Sequence, residues 1–150
     1  MLFHARRFQE ALPPLERALE LEGGNVVARM VLSESYLRLG RDADAERVGT
    51  ATFDTHLASL YAARPATRRH AAQLLERAAR NGVPPGQNWS AGVAYMRLGQ
   101  PDRAFEYLTK EFDLRSAYVR FSRSSPWFDE FRSDARFDAL IERLRLPAQP

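Results

Sequence analysis

The chain has 150 residues, 45% hydrophobic and 27% charged, with a formal net charge of +3. That is an ordinary soluble composition, long enough for one domain with a core. It contains no cysteine, which excludes a disulfide framework and a thiolate metal site. No stretch approaches the roughly 20 apolar residues of a membrane span, and MLFHARRFQEALPP has no long apolar run, so neither a membrane contact nor a signal peptide is expected and the chain reads as cytoplasmic.

Residues 5–21, ARRFQEALPPLERALEL, place Ala11, Leu15, Ala18 and Leu19 on one helical face. Pro13-Pro14 conflicts with that pattern, because an interior proline deletes a hydrogen bond and clashes one turn back. A kink, or a helix that starts only near Leu12, is expected. Gly23-Gly24-Asn25 is a turn. A helix follows from about Val26 to Leu39, stopped by Gly40, and Asp42 is expected to cap the next one, which carries Ala45 and Val48. The glycine and threonines of Gly49–Thr52 weaken helix, so a break is expected there. Leu57, Leu60 and Tyr61 then pack on a helix from Ala66 to Arg80 that ends at Asn81-Gly82. Trp89–Leu108 reads as two short helices, with Gly99 closing the first and Pro101 and Asp102 opening the second. Ala117, Tyr118 and Phe121 mark one short helix. Trp127, Phe128 and Phe131 cluster before a last helix, capped by Ser133 or Asp134 and running to about Leu144.

The pattern recurs. Leu32-Ser33, Tyr36 and Gly40 are followed by Ala45. Leu57-Ala58, Tyr61 and Pro65 are followed by His70-Ala71. Ala91-Gly92, Tyr95 and Gly99 are followed by Ala104. Tyr61 to Tyr95 is 95 − 61 = 34 residues, and Ala11 to Ala45 is 45 − 11 = 34. In this the chain resembles the tetratricopeptide repeat family. The resemblance implies an all-α fold: an α-α superhelix of tetratricopeptide-like helix pairs with a C-terminal capping helix. As one domain it divides into a half repeat at 1–24, a shortened repeat at 25–50, a degenerate repeat at 51–84, a repeat at 85–114 and a C-terminal cap at 115–150. That cap resembles the closing segment of bacterial tetratricopeptide regulatory proteins. Position 1 falls mid-repeat, so either the chain is the tail of a longer array or its first helix docks on something else.

Catalytic signatures are absent. His4, His56 and His70 lie far apart, and no metal-ligand spacing, glycine-rich phosphate loop or nucleophile elbow occurs. Asp129, Glu130 and Asp134 read as solvated or capping carboxylates, not as a metal cluster. No enzyme activity and no cofactor is expected. The arginines, 22 − 1 = 21 beside the lone Lys110, are interspersed with 19 acidic residues, so nucleic acid is not the expected partner.

A non-enzymatic interaction module is expected instead, holding a peptide or partner protein on its concave face. In the family the first helix of each repeat lines that face. The resemblance therefore implies a surface built from Val27, Met30, Glu34, Leu37 and Arg38 in one repeat and Trp89, Val93, Met96 and Arg97 in another. Arg38 and Arg97, each two residues before a turn glycine, suit bidentate carboxylate recognition. Trp89 and the methionines are equally suited to packing between helices. The alternative is a structural module that forms a homodimer through the uncovered N-terminal half repeat.

Overall fold

A computed structural model describes residues 2–145. Eight α-helices follow in order: α1 Phe8–Leu21, α2 Val26–Arg38, α3 Asp42–Gly49, α4 Asp54–Ala62, α5 Arg68–Asn81, α6 Asn88–Arg97, α7 Pro101–Asp113 and α8 Ala135–Arg145. Short 3₁₀ turns lie at Pro65–Thr67, Val119–Phe121 and Pro126–Phe131, and no strand occurs among the described residues. This is an all-α superhelix of helix pairs. None of these helices is long and apolar enough to cross a membrane.

Local chemistry accounts for most boundaries. Asn25 Oδ1 accepts the Ala28 N–H at 2.9 Å and caps α2. Gly40 and Gly99 stand at φ 72° and 77°, the left-handed conformation that closes α2 and α6. Pro101 opens α7, and Asp134 Oδ1 accepts the Arg136 N–H at 2.9 Å at the start of α8. The break expected near Gly49–Thr52 separates α3 from α4.

Two local expectations are corrected. The first helix starts at Phe8, not near Leu12, and has Pro13 and Pro14 inside it. Both prolines are exposed, and so are Gln9 and Glu10, whose carbonyls lose their helical donors. Water satisfies those carbonyls, so the cost of the prolines falls. Asp42 is the first helical residue of α3, not its cap; Arg41 holds that place without a side-chain cap. Asp42 and Asp44 act there as first-turn charges.

The helices form two layers. α1, α5 and α7 bury one face each: Ala71, Leu74 and Leu75 of α5, and Ala104, Phe105, Leu108, Glu111 and Phe112 of α7. α2, α4 and α6 are buried nearly all round, polar residues included: Ser33, Glu34 and Ser35 in α2, Thr55, His56 and Ser59 in α4, and Asn88 and Ser90 in α6. A helix covered on one side only does not bury its polar residues. Something therefore covers the second side of this inner layer. Tyr36, Tyr61 and Tyr95 sit at its seams, all buried. Tyr36 OH donates to Glu16 of α1, and Tyr61 OH donates to Glu46 of α3 at 2.6 Å.

Candidate interaction face

The cover comes from the two ends of the chain. Residues 2–6 fold over the inner layer from one side. The 3₁₀ turn Pro126–Phe131 lies on it from the other. Three residues per turn place Trp127 and Glu130 along one edge of that turn, and Phe128 and Phe131 along another. The second edge meets α7 and α8: Phe131 is 5.4 Å from Phe105, and Phe128 stacks 5.9 Å from Phe137. The first edge meets the inner layer. The Trp127 ring lies 4.6 Å from Trp89, 5.0 Å from Phe3 and 6.5 Å from His56.

The nine residues assigned to the concave face are thereby divided. Met30, Glu34, Trp89, Val93 and Arg97 are buried. Leu37, Arg38 and Met96 are partly exposed. Val27 alone is open to solvent, at 51%. Trp89 occupies a packing position because the C-terminal turn lies over it, and Met30 is fully buried in the same core.

Arg38 and Arg97 come together as their equivalent positions imply, and the carboxylates they hold belong to this chain. Arg97 Nη2 donates to Glu34 Oε1 at 2.7 Å, Nη1 to Glu34 Oε2 at 3.3 Å, and Nε to Glu130 Oε1 at 3.0 Å. Arg38 Nε donates to Glu34 Oε1 at 2.9 Å and its Nη2 to the Pro126 carbonyl at 2.7 Å. Asp129 stands 3.6 Å from Arg38 and 2.5 Å from Arg6. Burial favours the neutral carboxyl of Glu34, but Arg97 first, then Arg38, outweigh it and hold the group ionised below the usual carboxylate range. Burial likewise opposes the Arg97 charge, and Glu34 and Glu130 reverse that and raise its pKa.

Sequence reasoning set Asp129 and Glu130 aside as solvated or capping groups. The signal that could have found them is an acid pair directly following the Trp127-Phe128 aromatic pair, in a chain with two equivalent arginines to satisfy. Asp134, by contrast, is a cap as expected.

His56 was not assigned a role from sequence. Ser33 Oγ lies 3.0 Å from its Nε2, a serine–histidine pairing, yet both side chains are fully buried and no substrate reaches them. Burial pushes the imidazole pKa down to about 4, against the pull of Glu34. The sign follows from linkage: a depressed histidine contributes stability that is complete above its unfolded value of about 6.5 and lost as pH falls through 4. The full loss is roughly 3 kcal/mol, and about 2 kcal/mol of it is gone by pH 5. Urea unfolding at pH 7 and pH 5 is expected to show that difference, and His56→Gln to flatten it even though its stability at pH 7 is lower. Equal pH slopes for the two proteins would contradict the assignment.

An opening remains on the inner face. A cavity of about 320 Å³ lies where the N-terminal loop, the start of α2 and the 117–127 segment meet, lined by His4, Val27, Val31, Ala117, Tyr118, Phe121, Ser125 and Trp127. Its walls are apolar, and Val27 and Phe121 leave 51% and 58% of their surfaces in solvent. A second apolar cavity, about 330 Å³, sits on the other side of the loop against Ala11, Pro14 and Leu15 of α1. Val31 lines both.

A family model described as a tetratricopeptide repeat matches residues 2–48 of the chain. No curated protein and no solved structure matches it.

Proposed function

We propose, from the tetratricopeptide repeat model that matches residues 2–48, that the chain is a non-enzymatic module that binds a partner polypeptide at the open mouth of its inner face. The helix pairs α2–α3, α4–α5 and α6–α7 are then its repeats, α1 a half repeat and residues 115–145 a cap that fills most of the groove. The observation that carries this reading is the coincidence of two exposed apolar side chains, Val27 and Phe121, with one apolar cavity. Isolated surface apolar residues need no explanation, but two at the rim of a concave pocket mark a contact site. Of the nine residues expected to bind, Val27 keeps that role here, and Arg97 and Glu34 instead fix the cap.

The test compares capture from the native lysate by the wild type and by Val27→Asp with Phe121→Asp. Both positions are exposed, so the helical circular dichroism is expected to survive while capture is lost. Undiminished capture by the double variant overturns the reading.

The cavity beside α1 favours a second reading, self-association through the half repeat. Leu15 lines it and is partly exposed, whereas Leu12 is buried and its substitution reports stability instead. Under this reading the wild type is a dimer in light scattering and Leu15→Asp a monomer. A wild-type monomer at high concentration removes it.

A further inference from the structure

The cavity between the N-terminal loop, the start of α2 and the 117–127 segment is walled by rings. His4, Tyr118, Phe121 and Trp127 line it, together with Val27 and Val31. Packing holds these rings in place. Trp127 rests on Trp89 at 4.6 Å and on Phe3 at 5.0 Å, Tyr118 stacks on Trp89 at 5.2 Å, and His4 lies 5.2 Å from Phe121. Walls fixed before anything enters lower the ordering cost of binding.

No side chain that is charged at pH 7 lines the cavity. Burial lowers the pKa of His4 from its ordinary 6.5, so that imidazole is neutral there. Two carboxylates follow close after Trp127, and both are already matched by arginines. Asp129 pairs with Arg6 at 2.5 Å and Arg132 at 3.0 Å, Glu130 pairs with Arg97 at 3.0 Å, and Arg38 stands 3.6 and 3.7 Å from the two. Arg120 is exposed and does not line the cavity. Nothing in the wall therefore compensates a charged ligand for the water it leaves. His4 Nδ1, Ser125 Oγ and Trp127 Nε1 have no hydrogen-bond partner. The indole can only donate, and the hydroxyl can donate as well as accept.

We infer that this cavity is a binding site for a small, neutral, planar aromatic molecule that carries a hydrogen-bond acceptor. Its ring packs against Tyr118, Phe121 and Trp127, and ring pairs of this kind contribute more than their apolar area alone. The acceptor supplies the partner that the Trp127 N–H and the Ser125 hydroxyl lack. The volume of about 320 Å³ is near the low end for ligand sites and suits a molecule of one or two rings. This goes beyond the proposed function. That reading concerns the rim of the cavity and this one its floor, so either can fail without the other.

The experiment titrates the isotope-labelled full chain with acetophenone, an aromatic ketone, and follows the indole N–H signals by nuclear magnetic resonance. Three comparators are used: cyclohexyl methyl ketone, which keeps the carbonyl and loses the planar ring, phenyltrimethylammonium and benzoate. The chain has two tryptophans, and Trp127→Phe identifies the signal of the one that lines the cavity. Acetophenone is expected to move that signal saturably. Cyclohexyl methyl ketone is expected to bind about two- to tenfold more weakly, and neither ion to saturate. Phe121→Leu removes a ring at an exposed position but keeps an apolar side chain, and is expected to weaken acetophenone binding by a similar factor. Val27→Asp, also at an exposed position, is expected to abolish it. If that variant fails to fold, Phe121→Leu alone decides.

Absence of a saturable shift with acetophenone overturns the inference. Equal or tighter binding of cyclohexyl methyl ketone does so too, since the cavity then sorts by apolar volume alone. So does tighter binding of either ion, or binding indifferent to Phe121→Leu. Lysate capture reads the proposed function separately. Capture lost in the Val27 and Phe121 double aspartate variant, with no acetophenone shift in the wild type, overturns this inference and leaves the function standing. A saturable shift in the wild type, with undiminished capture by that variant, does the reverse.

Discussion

Replacing Arg97 with alanine is expected to cost about 3–5 kcal/mol, a large part of the 5–15 kcal/mol that holds an ordinary domain together. The reason is what stays behind. The Arg97 side chain is 4% exposed and that of Glu34 is 0% exposed. Without the guanidinium, Glu34 keeps only Arg38, and Glu130 and the Ser59 carbonyl each lose a donor. A carboxylate stranded in the interior is expensive, whereas an apolar pair in the same space is not. Arg97→Met with Glu34→Met is therefore expected to recover most of the loss, with Arg38 and Glu130, already 3.7 Å apart, left to pair with each other. Urea unfolding at pH 7 reads both proteins. A double variant no better than Arg97→Ala would mean that the penalty comes from packing and not from charge.

Trp89→Ala is expected to match that effect, again about 3–5 kcal/mol, through the cavity it opens. Trp89 is fully buried and touches Tyr118 at 5.2 Å, Trp127 at 4.6 Å, His56 at 6.1 Å and Phe128 at 6.4 Å. One side chain thus joins α4, α6 and the C-terminal turn. Its Nε1 has no hydrogen-bond partner, so Trp89→Phe loses no hydrogen bond and is expected to retain most of the stability. Thermal unfolding of the two variants separates the readings considered for this residue. A groove-lining tryptophan would leave the melting temperature of the alanine variant unchanged, and a core tryptophan lowers it steeply.

Both predictions concern residues that sequence reasoning placed at a binding surface. The placement on the inner helices followed from the family resemblance, and the equivalence of Arg38 and Arg97 followed from their common distance to Gly40 and Gly99. What escaped the sequence was the cover. The aromatic cluster of Trp127, Phe128 and Phe131 was legible as a group that needs burial. Its destination was not, because an aromatic side chain fits against any apolar face of similar size.

The amino-acid sequence by itself determined the helices, their turns and their order. Those features depend on residues within about one helical turn of each other: Asn25 capping α2, glycine at positive φ after α2 and α6, proline opening α7, Asp134 starting α8. The tertiary structure alone decided which face of the superhelix stays open. Arg38 meets the Pro126 carbonyl across 88 residues and Arg6 meets Asp129 across 123. Neither contact leaves a period or a spacing in the chain, since each partner is chosen by where the whole stack of helices brings the two ends.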